Sequence, residues 1–391
     1  MVLRQNKLTS GYTVHNKVKL VRGGKLYFEL LERMIDAAKY SLYFQTYIFD
    51  EDQTGATIAQ ALIRAARRNV KVFVLVDGYA SQELSQALIQ ELRSAGVNFR
   101  WFGPILKNRY LYFGRRLHHK VVVADALQCL VGGINISDRY NDLPGAPAWM
   151  DWALWAEGEV AMPAFEVCAR RSQARWIPWR RIVPMKPPVS KMPHEKCLVR
   201  LRVNDWVLGK REISKSYIQM LRHATTEVVI MSSYFMPGGE FRRALRQAVM
   251  RGVKVQIILA GISDIKLAKQ AERYLYAWLL RQKIEVFEYT RNVLHGKIAC
   301  CDDEWMTVGS YNLNDLSAKA SVEMNLEVMD PQLSRQVRLA LKNIILLDCI
   351  QITAEVEKRT SLIDRVIQKS AYNIFRLLLF IFTFYLRRQK A

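Results

Sequence analysis

The sequence has no long apolar run: none of its hydrophobic stretches approaches the roughly 20 residues that a membrane-spanning helix needs. Met1 to Ser10 has no apolar core of the kind a secretory signal carries, so the expectation is no signal peptide and a chain that starts in the cytosol. Six cysteines (129, 168, 197, 300, 301 and 349) form no C-x-x-C pair, which argues against a zinc site. Cys129, Cys300 and Cys301 sit in apolar, strand-like runs, as reduced, buried thiols do. No carboxylate cluster suited to a metal stands near the motifs described below, and neither metal nor cofactor is expected. Acidic residues are also scarce, 36 Asp+Glu against 58 Lys+Arg, a net charge of +22. Such an excess attracts polyanions, either nucleic acid or an anionic lipid surface, and composition does not choose between them.

What the chain does have is a repeated motif. His118-His119-Lys120 runs on to Asp125, and His295-Gly296-Lys297 runs on to Asp302, both fitting H-x-K-x-x-x-x-D. Thirteen residues after each first His comes a second likeness, Val131-Gly132-Gly133-Ile134-Asn135 and Val308-Gly309-Ser310-Tyr311-Asn312. Two matches by accident would be about a one-in-ten-thousand event. The flanks repeat as well. Tyr47 answers to Tyr234, Lys71 to Lys254 and Val97 to Ile284, with helical patterns between strand-like runs such as Val72–Val76 and Val255–Leu259. Alternating strands and helices in both copies predict a duplicated α/β fold with mainly parallel strands. A single helix is expected over about Leu267 to Gln282.

Two His, two Lys and two Asn brought together, with no metal, make a cationic pocket. Lys and Asn donate to phosphoryl oxygens, one imidazole can attack phosphorus, and the other can protonate the leaving oxygen. That is two-step phosphodiester transfer through a phosphohistidine. His119 is not expected to take part, because neighbouring strand residues point to opposite faces.

At these motifs the chain resembles the phospholipase D superfamily, whose active site joins one HKD motif from each half. Within it the chain is most similar to bacterial cardiolipin synthases of a short type, through Val76-Asp77-Gly78-Tyr79, Leu294-His295-Gly296-Lys297 and Glu323 to Asn325. The resemblance implies two pseudo-twofold-related mixed or parallel sheets flanked by helices, with one active site at their interface. It implies His118, Lys120, Asp125, His295, Lys297 and Asp302 as the catalytic set, the two Asp being structural or supporting. By the same resemblance His118 is the nucleophile and His295 the acid and then base, a symmetry the residues do not break. Asp151, 33 residues beyond His118, and Glu323, 28 beyond His295, are expected to buttress those histidines. Asn135, Asn312 and Ser310 are expected to support the phosphate, with Gly133 leaving hydroxyl help on one side only. The implied reaction joins two phosphatidylglycerols into cardiolipin and releases glycerol. A hydrolytic phospholipase D, a synthase using phosphatidylethanolamine, and a nuclease of the superfamily are the alternatives.

The boundaries expected are 15–165 for the first half, 166–200 for a basic, Trp- and Pro-rich linker, 201–355 for the second half and 356–391 for a membrane-interface segment. An insertion before the first motif places Arg109, Tyr110, Tyr112, Arg115 and Arg116 as contacts for an anionic head group. Trp176 and Trp179 among the linker arginines suit an anionic membrane, and would equally clasp nucleic acid. Leu377 to Leu386, ten residues with cationic ends, is too short to span a bilayer and fits its interface. The expected partners are phosphatidylglycerol and a membrane surface rather than nucleic acid, and the expected place is the cytoplasmic face of a bacterial inner membrane, peripherally held. Oligomeric state is not readable.

Overall fold

The computed structural model describes residues 10–103, 115–172, 192–314 and 321–387, with side chains to residue 378. The first half runs β1 (Thr13–Arg22), α1 (Lys25–Ala37), β2 (Ser41–Thr46), α2 (Gln53–Arg67), β3 (Lys71–Asp77), α3 (Gln86–Ser94), β4 (Asn98–Phe102), β5 (Arg116–Leu117), β6 (Lys120–Ala124), β7 (Gln128–Gly132), β8 (Trp152–Gly158) and α4 (Ala161–Ser172). The second runs β9 (Lys196–Asp205), β10 (Lys210–Arg211), α5 (Glu212–His223), β11 (Glu227–Ser232), α6 (Gly239–Met250), β12 (Lys254–Ile262), α7 (Lys266–Arg273), α8 (Tyr276–Arg281), β13 (Glu285–Val293), β14 (Ile298–Cys301), β15 (Trp305–Gly309) and β16 (Ser321–Met329). It continues as α9 (Pro331–Asp348), β17 (Cys349–Ile352), α10 (Ala354–Lys358) and α11 (Leu362–Arg387).

The duplication is visible in the sheets. The first has the order β1-β8-β7-β6-β2-β3-β4 and the second β9-β16-β15-β14-β11-β12-β13, with β17 added on the outer edge. Within these two orders β2-β3-β4 and β11-β12-β13 are parallel and the other neighbours antiparallel. The expectation of mainly parallel strands gives way to mixed sheets, because β6–β7 and β14–β15 are joined by turns of three residues. Connections that short permit only antiparallel neighbours. The expected helix over 267–282 is broken at Tyr274 and Leu275 into α7 and α8.

Helices α1, α2 and α3 cover the outer face of the first sheet through Leu31, Ile35, Ile58, Leu62 and Ile89, all fully or nearly fully buried. Helices α5, α6 and α8 do the same for the second, through Leu221, Leu245 and Leu279. The inner faces share one core, in which Val121, Val131 and Leu154 of the first half join Ile298, Val308 and Leu326 of the second, with α4 and α9 closing it. Burial on this scale stabilises at roughly 25 cal/mol per Å² of apolar surface, so the halves form one body. Their seam is hydrogen-bonded too: β1 pairs with β9 and β5 with β16.

The C-terminal helix α11 is longer than the ten-residue apolar stretch in the sequence. It docks through Ala371 on Ala268, Ala271 and Leu275, with the Tyr372 ring 4.8 Å from that of Tyr274. Ile363, Val366, Ile367, Ile374, Leu377 and Leu378 stay exposed along it. Among the described residues no helix is long and apolar enough to cross a membrane.

Candidate active site

The repeated histidines meet at the seam, and each is held by the other half. The backbone N–H of His118 donates to the carbonyl of Val322 (3.0 Å), and that of His295 to the carbonyl of Met150 (2.8 Å). The residue after each carbonyl is an acid. His118 Nδ1 lies 2.9 Å from Glu323 Oε2, and His295 Nδ1 lies 2.6 Å from Asp151 Oδ2. The expected pairing of His118 with Asp151 and His295 with Glu323 is therefore corrected: the buttresses are exchanged between halves. The reason is topological. β5 lies parallel against β16, and Leu294 bridges in parallel to Met150, so each histidine is threaded beside the acid-bearing strand of its partner half. With Nδ1 occupied on both rings, each presents Nε2 as its free nitrogen.

The lysines stand beside them. Lys120 Nζ donates to the His118 carbonyl (2.6 Å) and lies over the Tyr47 ring (5.2 Å), which packs against the His118 ring at 5.0 Å. Lys297 Nζ donates likewise to the His295 carbonyl. Burial, and then the other lysine, brings Lys120 down to about 7; burial brings Lys297 down to about 8, against the pull of Asp151 and Glu323. Burial also lowers His118, with Glu323 opposing, and lowers His295 well below the usual range, aided by both lysines. The two rings are near enough for a proton on His118 to disfavour one on His295. Such a pocket, with charge crowded and dehydrated, is relieved by an anion.

The symmetry is not complete. The His118 side chain is 16% exposed against 8% for His295. Glu323 Oε2 also accepts from Ser310 Oγ (2.5 Å), so that hydroxyl is turned to the carboxylate and not to a phosphate. Asp151 has no such neighbour, since a Cβ on Gly133 would stand 2.4 Å from its Oδ1. It accepts from the Trp152 N–H (2.7 Å) and from His295, and burial pushes its carboxyl up to about 7. Asp151 and His295 thus share their protons as a unit.

Other expected members lie elsewhere. Asp125 and Asp302 close the far ends of β6 and β14, roughly 17 Å along the strand from the lysines at about 3.3 Å per residue. Both have positive φ (54° and 52°), as do Ala126 and Asp303, the twist of a tight hairpin turn. Asp125 accepts from the N–H groups of Lys39, Tyr40 and Ser41, and Asp302 from those of Thr225, Thr226 and Glu227. These are turn anchors and not catalytic groups. Against the upward push of burial, the N–H donors hold Asp302 at about 2 instead of 3.8, so its contribution is complete above about pH 4 and is lost as the pH falls through 2. Asp302→Ala is expected to cost about 2–3 kcal/mol of stability, read by denaturant unfolding at pH 7, with kcat within about twofold of the parent. A collapse of kcat in folded protein would return Asp302 to the chemistry.

Asn135 accepts from the Ile48 N–H (3.1 Å) and donates to Tyr140 Oη (2.9 Å), whose ring stands 5.2 Å from that of His295. It holds a wall of the site, a different task from the phosphate contact expected. Asn312 accepts from Ser233 Oγ (2.8 Å), and its Nδ2 has no acceptor among the described residues. Arg115 and Arg116 are committed internally, Arg115 to Asp205 (2.7 Å) and Arg116 to Asp77 (3.4 Å) and the Gly103 carbonyl (3.1 Å), which corrects their reading as head-group ligands. Arg109, Tyr110, Tyr112, Trp176 and Trp179 lie outside the described residues. His119 turns away, its Nε2 2.8 Å from Gln45 Oε1. No group of His, Cys, Asp and Glu suited to a metal occurs among the described residues. Tyr47, Tyr140 and Trp149, the rings against the two histidines, were not expected as site members. Of these, Tyr47 alone carried a signal, its match with Tyr234.

A family model described as "Cardiolipin synthase, PLD-like domain" matches residues 31–144 and 217–345. Cardiolipin synthase B of Shigella flexneri is 36% identical over 348 residues, 86% of this chain and 82% of that protein. Cardiolipin synthase B of Salmonella typhi is 37% identical over 360 residues, 90% and 86% of the two chains. Among solved structures, phosphatidylserine synthase of Haemophilus influenzae Rd KW20 superposes with a TM-score of 0.73 at 16% identity, over 96% of this chain and 97% of that one.

Proposed function

The chain belongs to the cardiolipin synthase family of phospholipase D-like proteins, and from that premise we propose that it transfers a phosphatidyl group between two phosphatidylglycerols, giving cardiolipin and glycerol. The observation that carries this reading is the pair of imidazoles, each with Nδ1 on a carboxylate of the opposite half and each beside a buried lysine.

In the first step His118 Nε2 attacks phosphorus, the P–O bond to glycerol breaks, and the His295–Asp151 unit delivers a proton to the departing oxygen. His118 is the more accessible ring and has the lowered proton affinity of a nucleophile that is free at neutral pH. His295 is the more buried, and its carboxylate partner retains a proton up to about 7. In the second step a hydroxyl of another phosphatidylglycerol attacks, the P–N bond breaks, and the hydroxyl proton passes to His295. Lys120, Lys297 and the Nδ2 group of Asn312 supply donors for the phosphoryl oxygens as their charge grows. The exposed apolar residues of α11, with Arg365, Lys369 and Arg376 on the same helix, suit an anionic membrane surface on the cytoplasmic side.

The test is incubation of the purified protein with phosphatidylglycerol vesicles in the absence of divalent metal, with the lipid products resolved. Cardiolipin and free glycerol are expected; phosphatidic acid alone would make it a hydrolase. The pH dependence has a sign. Above about pH 7 to 8 Lys120, Lys297 and the Asp151 unit lose protons, so kcat/KM falls on the alkaline side. Burial, opposed by Glu323, lowers the proton affinity of His118, so the acid-side loss of activity is expected at lower pH than for a free imidazole. A profile flat to pH 9 would count against these assignments.

A further inference from the structure

The second half carries its parallel strands further than the first. β12 has nine residues against seven in β3, and β13 nine against five in β4. A register shift between Ala260 and Ile262 takes β12 past the Tyr289 carbonyl, which would lie 2.5 Å from a Cβ on Gly261. Ile262 then pairs with Val293. Because these strands are parallel, the same two-residue step leads one chain to Asp264 and the other to His295. Asp264 is thereby brought to the rim of the site, where its carboxylate favours protons on both His295 and Lys297.

Asp264 Oδ1 accepts a hydrogen bond from Tyr234 Oη. Tyr234 answers to Tyr47 of the first half, but it holds a carboxylate where Tyr47 packs on an imidazole. Asp264 is exposed, and no cation pairs with it among the described residues. The His118 side is built differently. The carboxylate that ends β3 there, Asp77, is fully buried and consumed by the N–H groups of Leu117 (2.8 Å) and Tyr79 (3.0 Å) and by Arg116. One end of an anion-binding pocket therefore offers a solvent-facing acceptor that would repel a phosphate. Such a group is suited to neutral hydrogen-bond donors.

We propose that Asp264, held by Tyr234, is a specificity-determining residue that accepts hydrogen bonds from the neighbouring hydroxyls of a glycerol head group, both as the first glycerol leaves and as the second enters beside His295. The inference rests on the synthase reading, in which His295 serves the alcohol. It gives the acceptor a handle that water does not need, and so biases the phosphohistidine toward transfer over hydrolysis.

The experiment compares Asp264→Ala, Asp264→Asn and Tyr234→Phe with the parent protein on phosphatidylglycerol in detergent micelles, with graded free glycerol as a second acceptor. Asp264→Ala is expected to raise the acceptor concentration for half-maximal transfer about tenfold and to shift products from cardiolipin toward phosphatidic acid. Asp264→Asn keeps an acceptor oxygen and recovers part of the loss, and Tyr234→Phe falls between. Parental KM and product ratio in Asp264→Ala would overturn the inference while leaving the synthase reading intact. So would a loss confined to phosphatidylethanolamine, which would make Asp264 a reader of positive charge. Failure of the parent protein to form cardiolipin would remove the synthase reading and this inference with it.

Discussion

His118→Ala is expected to lower kcat by about 10,000-fold or more and to leave no phosphatidyl group on the protein after rapid acid quenching with labelled lipid. Loss of the nucleophile removes the covalent intermediate itself. His295→Ala is expected to lose as much with phosphatidylglycerol, but for another reason: an alkoxide leaves badly without a proton. A donor whose leaving group is p-nitrophenol needs none. With that donor His295→Ala should regain its first step, release nitrophenol in a burst equal to the enzyme present, and accumulate labelled protein. His118→Ala should do neither. Labelled His118→Ala, or a burst in both variants, would reverse the roles given to the two rings.

The second large effect follows from the exchange of carboxylates. Glu323→Gln should behave like a weakened His118 variant, with the first step slowed 100- to 10,000-fold and no rescue by nitrophenol, because Glu323 orients the His118 ring at 2.9 Å. Asp151→Asn should behave like His295→Ala and be rescued, because its oxygen lies 2.6 Å from His295. Pairing within each copy would give the opposite pattern. Both variants are near-isosteric, so thermal unfolding should show them folded.

The strands, the helices and the repeated H-x-K motifs were legible because they are carried by local pattern. The runs Val72–Val76 and Val255–Leu259 are apolar at every position because both faces are covered, and the spacing H-x-K survives because it alternates across a strand. The exchange of Asp151 and Glu323 was not legible. The family resemblance, with acids 33 and 28 residues beyond the histidines, implied pairing within each half, whereas the partner was decided by β5 lying on β16 and Leu294 on Met150. Ser310 and Asn135 were misassigned for a related reason. A conserved-looking offset gives a residue's neighbourhood but not the direction of its hydroxyl or amide, here toward Glu323 and Tyr140. Asp264 had no counterpart in the first copy, where the matching position is Ser81, so the repeat could not flag it. Arg115 and Arg116 looked like ligands because charge near a catalytic His attracts that reading, while Asp205 and Asp77, distant in sequence, already claim them.

The crossed histidines also work as an interlock. Each half holds one ring and the acid that serves the other half's ring, so a fragment limited to either half contains no complete histidine–carboxylate pair. An enzyme that acts on the head groups of phospholipids therefore lacks its second histidine–carboxylate pair until β16 has closed against β5 and brought Glu323 to His118. Assembly of the fold and arming of the reaction become the same event.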